Sequence, residues 1–269
     1  MTDENDLRER VRSMAVVCEL PGMDQVQVGH DLLYKTVGGN ALYANVYAPP
    51  GERGPDGLLP AVLFVGRREA QYTSWGKLVA ASGLIAVTFD YSPVGYYGHL
   101  REPEQDVLDL LEYVRSQGAS LGIDANRLGI WAASSQPMLG WRMVLRDAPP
   151  FIRRLVSYYG ALNLEQLLTE ADAPEVWALL REYSLVSYLG LHPQALPPML
   201  IARAGRDHHL PNQSIDTFVA EALRQNAPIE VMNYPEGRHG FDALDATDRS
   251  RQIIRRTLAF LKIHLSEEA

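Results

Sequence analysis

Arg127-Leu-Gly-Ile-Trp-Ala-Ala-Ser-Ser-Gln136 is the stretch that decides how this chain folds. A short apolar run, Leu128 to Ala133, ends in two serines, and a helix-like segment starts at Pro137 with no room for a loop. A strand that turns directly into a helix around a serine lifts one hydroxyl above the sheet edge. It also sets backbone N–H groups behind that hydroxyl, where they can meet a developing negative charge. Such turns usually read Gly-x-Ser-x-Gly; here the residues are Ala132-Ala133-Ser134-Ser135-Gln136. The frame puts the sharp turn at Ser134 and makes the Ser135 N–H an oxyanion donor. Two serines in this place would also serve as plain helix N-caps.

Working outward, the chain alternates between strand-like and helix-like segments. Ahead of the turn, His30–Val37 and Ala41–Ala48 flank Gly38-Gly39-Asn40 and read as a hairpin, followed by a Pro/Gly-rich loop over Pro49–Gly57. Ala61–Val65 and Leu84–Phe89 are continuous apolar runs suited to buried parallel strands. A helix over Ser74–Ser82, closed by Gly83, lies between them, and Glu102-Pro103-Glu104 opens another with Val107, Leu110, Leu111 and Val114 on one face. After the turn, the helix from Pro137 stops before Pro149-Pro150, and strands follow at Leu155–Tyr159, Met199–Ala204 and Ile229–Asn233. Pro211–Gln225 is a helix with Ile215, Phe218, Val219, Ala222 and Leu223 on one face, and a last helix runs from Thr247 to Leu265.

This alternation predicts an α/β fold, a mostly parallel sheet with helices on both faces. Residues 1–28 form an N-terminal arm with one short helix packed on the outside, and 29–269 form a single domain. Residues 163–197, between the fourth and fifth parallel strands, carry two leucine-rich helical stretches with Trp177, Tyr183 and Tyr188. They read either as crossover packing or as a small helical cap over the site.

Composition narrows the function classes. The chain has 269 residues, enough to bury roughly three quarters of its unfolded surface. A net charge of −8 argues against nucleic acid and gives no attraction to anionic membranes. The single cysteine, Cys18, permits no internal disulfide, the N-terminus is acidic, and no apolar run is long enough to span a bilayer. The expected location is the cytoplasm and the expected partner a small-molecule substrate, with a homodimer left open.

In parallel sheets, ligands bind beyond the carboxyl ends of the strands. The residues there are Gly66–Arg68, Asp90–Tyr91, Ser134–Ser135, Asp207 and His239. Acyl transfer through serine needs a hydroxyl, an imidazole to take its proton and a carboxylate to orient the imidazole. His239, in Pro235-Glu-Gly-Arg-His-Gly-Phe241, and Asp207, in Ala204-Gly-Arg-Asp207, can fill the second and third roles. Taken alone, Asp207 reads as a turn or capping residue and His239 as a surface histidine. Their order past successive strands, Ser134 then Asp207 then His239, makes the set specific. His208 and His209 are adjacent and lack a completing cluster, so no metal is expected.

With these residues in place, the chain resembles the α/β-hydrolase superfamily, in its dienelactone hydrolase and esterase branch, over about Leu32 to Leu265. The matching stretches are Ala61-Val-Leu-Phe-Val-Gly66, Gly83-Leu-Ile-Ala-Val-Thr-Phe-Asp90, Asp124-Ala-Asn-Arg-Leu-Gly-Ile-Trp-Ala-Ala-Ser134, Arg203-Ala-Gly-Arg-Asp207 and Glu236-Gly-Arg-His-Gly-Phe-Asp242. The resemblance implies an eight-stranded sheet whose second strand is antiparallel, a triad of Ser134, Asp207 and His239, and no cofactor. The expected activity is cleavage of a small or medium carboxylic ester, thioester or lactone through an acyl-enzyme on Ser134.

Two positions depart from the family. Gly66-Arg67-Arg68 stands where many esterases carry His-Gly-Gly; the Arg67 N–H can still serve as the second oxyanion donor, and the two arginines read either as positive charge at the pocket rim, with Arg68 touching substrate, or as a solvated basic turn. Gln136 is larger than the residue usually found two past the serine, so it points either away or into the pocket. Tyr91 opens a tyrosine-rich loop to His99, which reads equally as a pocket wall that Tyr91 shares or as a packed surface loop. The alternative reading keeps the scaffold without hydrolysis, as a biosynthetic cyclase, acyltransferase, lyase or ligand-binding module.

Overall fold

A two-residue turn at Gly38-Gly39 closes the hairpin that starts the sheet, β1 (Gln27–Val37) and β2 (Asn40–Ala48). Both glycines sit at positive φ, 55° and 84°, which the tight turn demands and side chains resist. The structure is a computed structural model that describes residues 9–51, 57–93, 99–167, 173–207 and 211–266.

The chain continues through β3 (Leu59–Val65), α1 (Ala70–Ala81), β4 (Ile85–Phe89) and α2 (Arg101–Gln117). Next come β5 (Ile123–Ala133), α3 (Pro137–Asp147), β6 (Ile152–Tyr158) and α4 (Pro174–Glu182). The last elements are β7 (Met199–Ala204), α5 (Pro211–Arg224), β8 (Ile229–Tyr234), α6 (Phe241–Leu244) and α7 (Asp248–Ser266). The sheet has eight strands in the order β1-β2-β4-β3-β5-β6-β7-β8. Strand β2 is antiparallel to both neighbours, and β3 through β8 are parallel.

Burial follows from the sequence of each strand. The apolar runs of β3, β4 and β5 are closed on both faces, so Ala61, Val62, Phe64, Ile85, Trp131 and Ala132 are fully buried. On one face α2, α3 and α5 pack over Leu63, Val87, Ile130 and Leu155. On the other, α1, α7 and the arm residues Val16 and Cys18 cover an aromatic layer of Phe64, Trp75, Trp131 and Tyr158. Trp131 lies 5.2 Å from Phe64 and Trp75 and 5.1 Å from Tyr158, so the strand that ends at Ser134 rests on a stack of rings.

Several expectations shift. Helix α1 starts at Ala70, a full turn before Ser74, because the buried residues of that turn are Gln71 and Tyr72 and carry little apolar signal. Helix α2 starts at Arg101, so Pro103 is its third residue rather than its first. Leu223, expected on the apolar face of α5, is 63% exposed; the face is centred on Ile215, Phe218 and Ala222. The short α6 lies in a stretch where the sequence predicts a loop between the last strand and the last helix. Within 163–197, the described residues pack as a crossover on α2, α3 and α5: Leu180, Tyr183, Leu185 and Leu189 are buried there. Arg142 of α3 bonds Glu104 of α2 at 2.6 Å and Glu182 of α4 at 2.7 Å, fastening the segment to both helices. Residues 168–172 of that segment, 94–98 of the tyrosine loop, 52–56 of the Pro/Gly loop and His208-His209 lie outside the described residues.

Candidate active site

Strand β5 ends at Ala133, and Ser134 follows at φ +56°, a left-handed conformation that a residue with a Cβ adopts only under constraint. The constraint is backbone pairing: Ser134 N donates to Tyr158 O (3.0 Å), Ala161 N to Ser134 O (2.7 Å), and Gln136 N to Ala133 O (2.9 Å). Helix α3 starts at Pro137, whose missing N–H costs nothing at a helix start. The close approach that a glycine at position 136 would normally permit is supplied elsewhere. A Cβ on Gly160 would lie 2.8 Å from Pro137 Cγ, and one on Gly140 would lie 2.7 Å from Val65 Cγ2.

Asp207 follows β7 and His239 follows β8, and the two loops are tied together. Gly205 N donates to Tyr234 O (2.7 Å) and Arg206 N to Gly237 O (2.9 Å). Asp245 steadies the histidine loop by accepting from Arg238 N at 3.0 Å and Arg238 Nε at 2.7 Å. As a result His239 Nδ1 lies 2.6 Å from Asp207 Oδ2, and His239 Nε2 lies 3.0 Å from Ser134 Oγ. The Asp207 side chain is fully buried and that of His239 is 15% exposed, so water is kept from the inner bond while the outer nitrogen stays reachable. This geometry suits proton transfer from the hydroxyl to an imidazole whose charged form the carboxylate stabilises.

Behind the imidazole lies a layer that the sequence reading missed. The Tyr159 ring sits 4.5 Å from the His239 ring, and Tyr159, like Ser134, has positive φ (+39°). Its hydroxyl donates to Asp242 Oδ1 at 2.7 Å. Asp242 Oδ2 accepts from Gln71 Nε2 at 2.9 Å and Trp75 Nε1 at 2.8 Å. Asp242 is fully buried, and burial pushes its carboxyl above the ordinary range despite the bonds from Trp75, Tyr159 and Gln71. Nothing in periodicity marks these residues; Asp242 reads as an ordinary first-turn acid of a short helix, although it closes the Glu236–Asp242 stretch.

The remaining predicted residues divide. Ser135 and Gln136 line the small cavity at Ser134 together with Ala133, Tyr159, His239, Gln71, Tyr72, Val11 and Arg12. The N–H groups of Ser135 and Arg67 donate to no protein acceptor among the described residues, as an oxyanion hole requires. Gln136 is 5% exposed, so its side chain turns inward, and burial pushes the neighbouring Tyr91 phenol above its ordinary range. Its Oε1 has no partner among the described residues. Arg67 lies over the Tyr91 ring at 5.6 Å, and both line a neighbouring groove rather than the cavity. Arg68 is displaced from its expected place at the rim: its Nη2 bonds Asp90 at 2.7 Å, and its Nη1 bonds Asn45 at 3.1 Å and pairs with Asp31, which fixes it to β1, β2 and the end of β4. The arm also differs from expectation. Instead of lying outside, it places Val11 and Arg12 in the cavity wall.

Among the described residues no His/Cys/Asp/Glu group could hold a metal, and no helix is long and apolar enough to cross a membrane. No family model matches the chain. Esterase 2 of Thermogutta terrifontis with propionate bound superposes with a TM-score of 0.71 at 20% identity, over 93% of this chain and 98% of that one. The chain has the α/β-hydrolase fold. The butyrate-bound form of the same esterase gives 0.69 at 21% identity, over 90% and 95% of the two chains. Its form phosphonylated by sarin gives 0.68 at 20% identity, over 91% and 96%. In sequence, a protein of Escherichia coli (strain K12) provisionally named carboxymethylenebutenolidase is 26% identical over 141 residues, 52% of this chain and 46% of the relative. A Salmonella typhi protein of the same name is 27% identical over the same shares. The match thus spans about half the length of these curated relatives.

Proposed function

We propose that this α/β-hydrolase-fold protein is a serine hydrolase that cleaves a small or medium carboxylic ester, thioester or lactone. The observation that carries the reading is the continuous line from Ser134 Oγ through His239 to Asp207, at 3.0 and 2.6 Å, with the serine held in a strained turn. His239 Nε2 takes the hydroxyl proton as Ser134 Oγ bonds to the acyl carbon. The Ser135 and Arg67 N–H groups face the resulting oxyanion. The oxyanion collapses, the leaving oxygen or sulfur departs with the proton from His239, and an acyl-enzyme remains. Water attacks the ester carbon after giving its proton to His239, and the acid leaves as that proton returns to Ser134. Asp207 orients the imidazole throughout. The neighbours' ligands and organophosphate adduct support an ester substrate, and the relatives' name adds the lactone option.

Replacing Ser134→Ala is expected to lower kcat/KM on activated esters by on the order of 10⁴-fold or more, with fluorophosphonate labelling abolished. Ordinary ester turnover by that variant would refute the assignment. A second reading, acyl transfer to an acceptor other than water, draws on one observation: the unpartnered Oε1 of buried Gln136 can accept from an incoming hydroxyl or amine. Mass analysis of products, with and without added alcohols or amines, separates the two.

A further inference from the structure

We infer that residues 9–13 of the N-terminal arm, centred on Val11, form the wall that limits the size of the group Ser134 can carry, which makes the substrate a short-acyl ester. This rests on the serine-hydrolase reading above and adds a substrate class to it.

Three observations support the wall. Val11 and Arg12 line the cavity that holds Ser134 and His239, although they precede the sheet by more than a dozen residues. Val11 is 6% exposed, and it is packed on the loop of the catalytic histidine: a Cβ on Gly240 would lie 2.6 Å from Val11 Cγ2. The turn of helix is closed by Met14 N donating to Val11 O at 3.2 Å, and Arg12 pairs with Glu69 at 3.4 Å, the residue that caps α1.

The arm is also tethered to the elements that support the site. Val17 N donates to Asp242 O at 2.8 Å, Val16 N to Ser74 Oγ at 3.2 Å, and Arg251 Nε to Val17 O at 3.2 Å. Val16 and Cys18 are buried beneath α1 and α7. The helix turn therefore has a fixed root at Val16 and Val17, and it is held on the site by Val11 packing against Gly240 and by the Arg12–Glu69 pair.

The space it leaves is small. The cavity at Ser134 measures about 40 Å³. A cavity of that size holds a short acyl group, and a longer chain comes up against the wall that Val11 and Arg12 form. Among the described residues, segment 163–197 contributes nothing to this lining. Among the described residues, the part of the lining that lies outside the sheet-end loops and α1 is Val11 and Arg12.

The test uses the full-length chain with Val11→Ala, Val11→Phe and the parent, read as kcat/KM on p-nitrophenyl acetate, butyrate and octanoate. The parent should favour acetate. Val11→Ala, which removes two methyl groups from the wall, should raise the octanoate-to-acetate ratio about 10-fold, and Val11→Phe should lower it. Ratios unchanged within twofold in both variants would overturn the wall. A parallel measurement does not need hydrolysis. In the Ser134→Cys background, alkylation of the introduced thiol by iodoacetamide and by a fluorescein maleimide is compared with and without Val11→Ala. The bulky reagent should lag in the parent and catch up in the Val11 variant. Size-selective alkylation beside a silent ester assay would retain the wall and sink the hydrolase reading; equal rates in both backgrounds would sink the wall.

Discussion

Asp242 and Glu104 are both buried carboxylates, on opposite faces of one sheet, and they are satisfied by opposite means. Glu104 is paired with a cation: Arg142 at 2.6 Å, itself held by Glu182, with the Tyr183 hydroxyl donating to the other oxygen at 2.7 Å. Asp242 has no cation among its bonding partners; Gln71, Trp75 and Tyr159 are all neutral donors. The first cluster fastens helices α2, α3 and α4 and touches no residue of the Ser134–Asp207–His239 line. The second reaches that line through one ring, Tyr159 on His239. A full ion pair serves where only fastening is needed. Beneath His239, neutral donors fix the geometry without setting a fixed positive charge next to the imidazole that the proposed mechanism protonates and deprotonates.

Breaking the brace should show this most strongly. Arg142→Ala leaves Glu104 buried without its cation, and removing one partner of a buried pair costs about 3–5 kcal/mol. For a domain of this size that is a fall in Tm of roughly 6–20 °C, readable by calorimetry. Below the transition, kcat/KM on a short ester should stay within about threefold of the parent, since the brace touches no reacting group. A hundredfold loss of kcat in the folded variant would mean that the two clusters are coupled and that the contrast fails.

Asp242→Asn acts on the other side. An amide presents N–H where one carboxylate oxygen accepted, leaving donors unpaired at about 1–3 kcal/mol, less than for Arg142→Ala. Here activity should fall as well, by roughly 10-fold in kcat, because Tyr159 loses its anchor beneath His239. The pH dependence carries a sign. Burial raises the Asp242 carboxyl in the folded state, so the folded chain binds this proton more tightly than the unfolded one. Its contribution to stability is complete below the unfolded carboxylate value of about 3.9 and declines as pH rises from there to the folded value. The stability gap between parent and Asp242→Asn should therefore be widest in acid and narrow toward neutrality. Denaturant titrations across that range would test it, and a gap that widens with pH would contradict the assignment.

Much of the fold, and the meeting of Ser134, Asp207 and His239, was legible in the sequence because topology enforces it. Apolar runs closed on both faces could only be parallel strands, and residues just past them could only meet at one sheet edge. This is why Ser134, Asp207 and His239 could be picked by order alone, though each was ambiguous by itself. Arg68 misled because sequence does not show that Asp31 and Asp90 come within reach of it. Gln71 stayed hidden because a buried polar residue dilutes the apolar pattern that marks an element, and Tyr159, read only as the end of a strand, because the pattern does not show that its ring turns onto His239. Val11 stayed hidden for a different reason: one valine between arginines carries no periodicity, and what it covers is settled by tethers at Val16 and Val17 to residues far along the chain.

The smallest effect concerns the backbone. Ser134 and Tyr159, at the ends of β5 and β6, both hold positive φ, whereas none of the brace residues does. Strain of this kind costs of order 1–3 kcal/mol per residue, and a pair of variants isolates it at Ser134. Ser134→Ala and Ser134→Gly both remove the hydroxyl and its bond to His239, so both are inactive and differ only in the Cβ. In relaxed backbone glycine is the less stable choice by about 0.5–1 kcal/mol. At φ +56° the order should reverse, with Ser134→Gly more stable than Ser134→Ala by about 1 kcal/mol. Equal stability, or a more stable alanine form, would mean that the turn is relaxed and that the polar layer beneath it, rather than the backbone, bears the cost of positioning the serine.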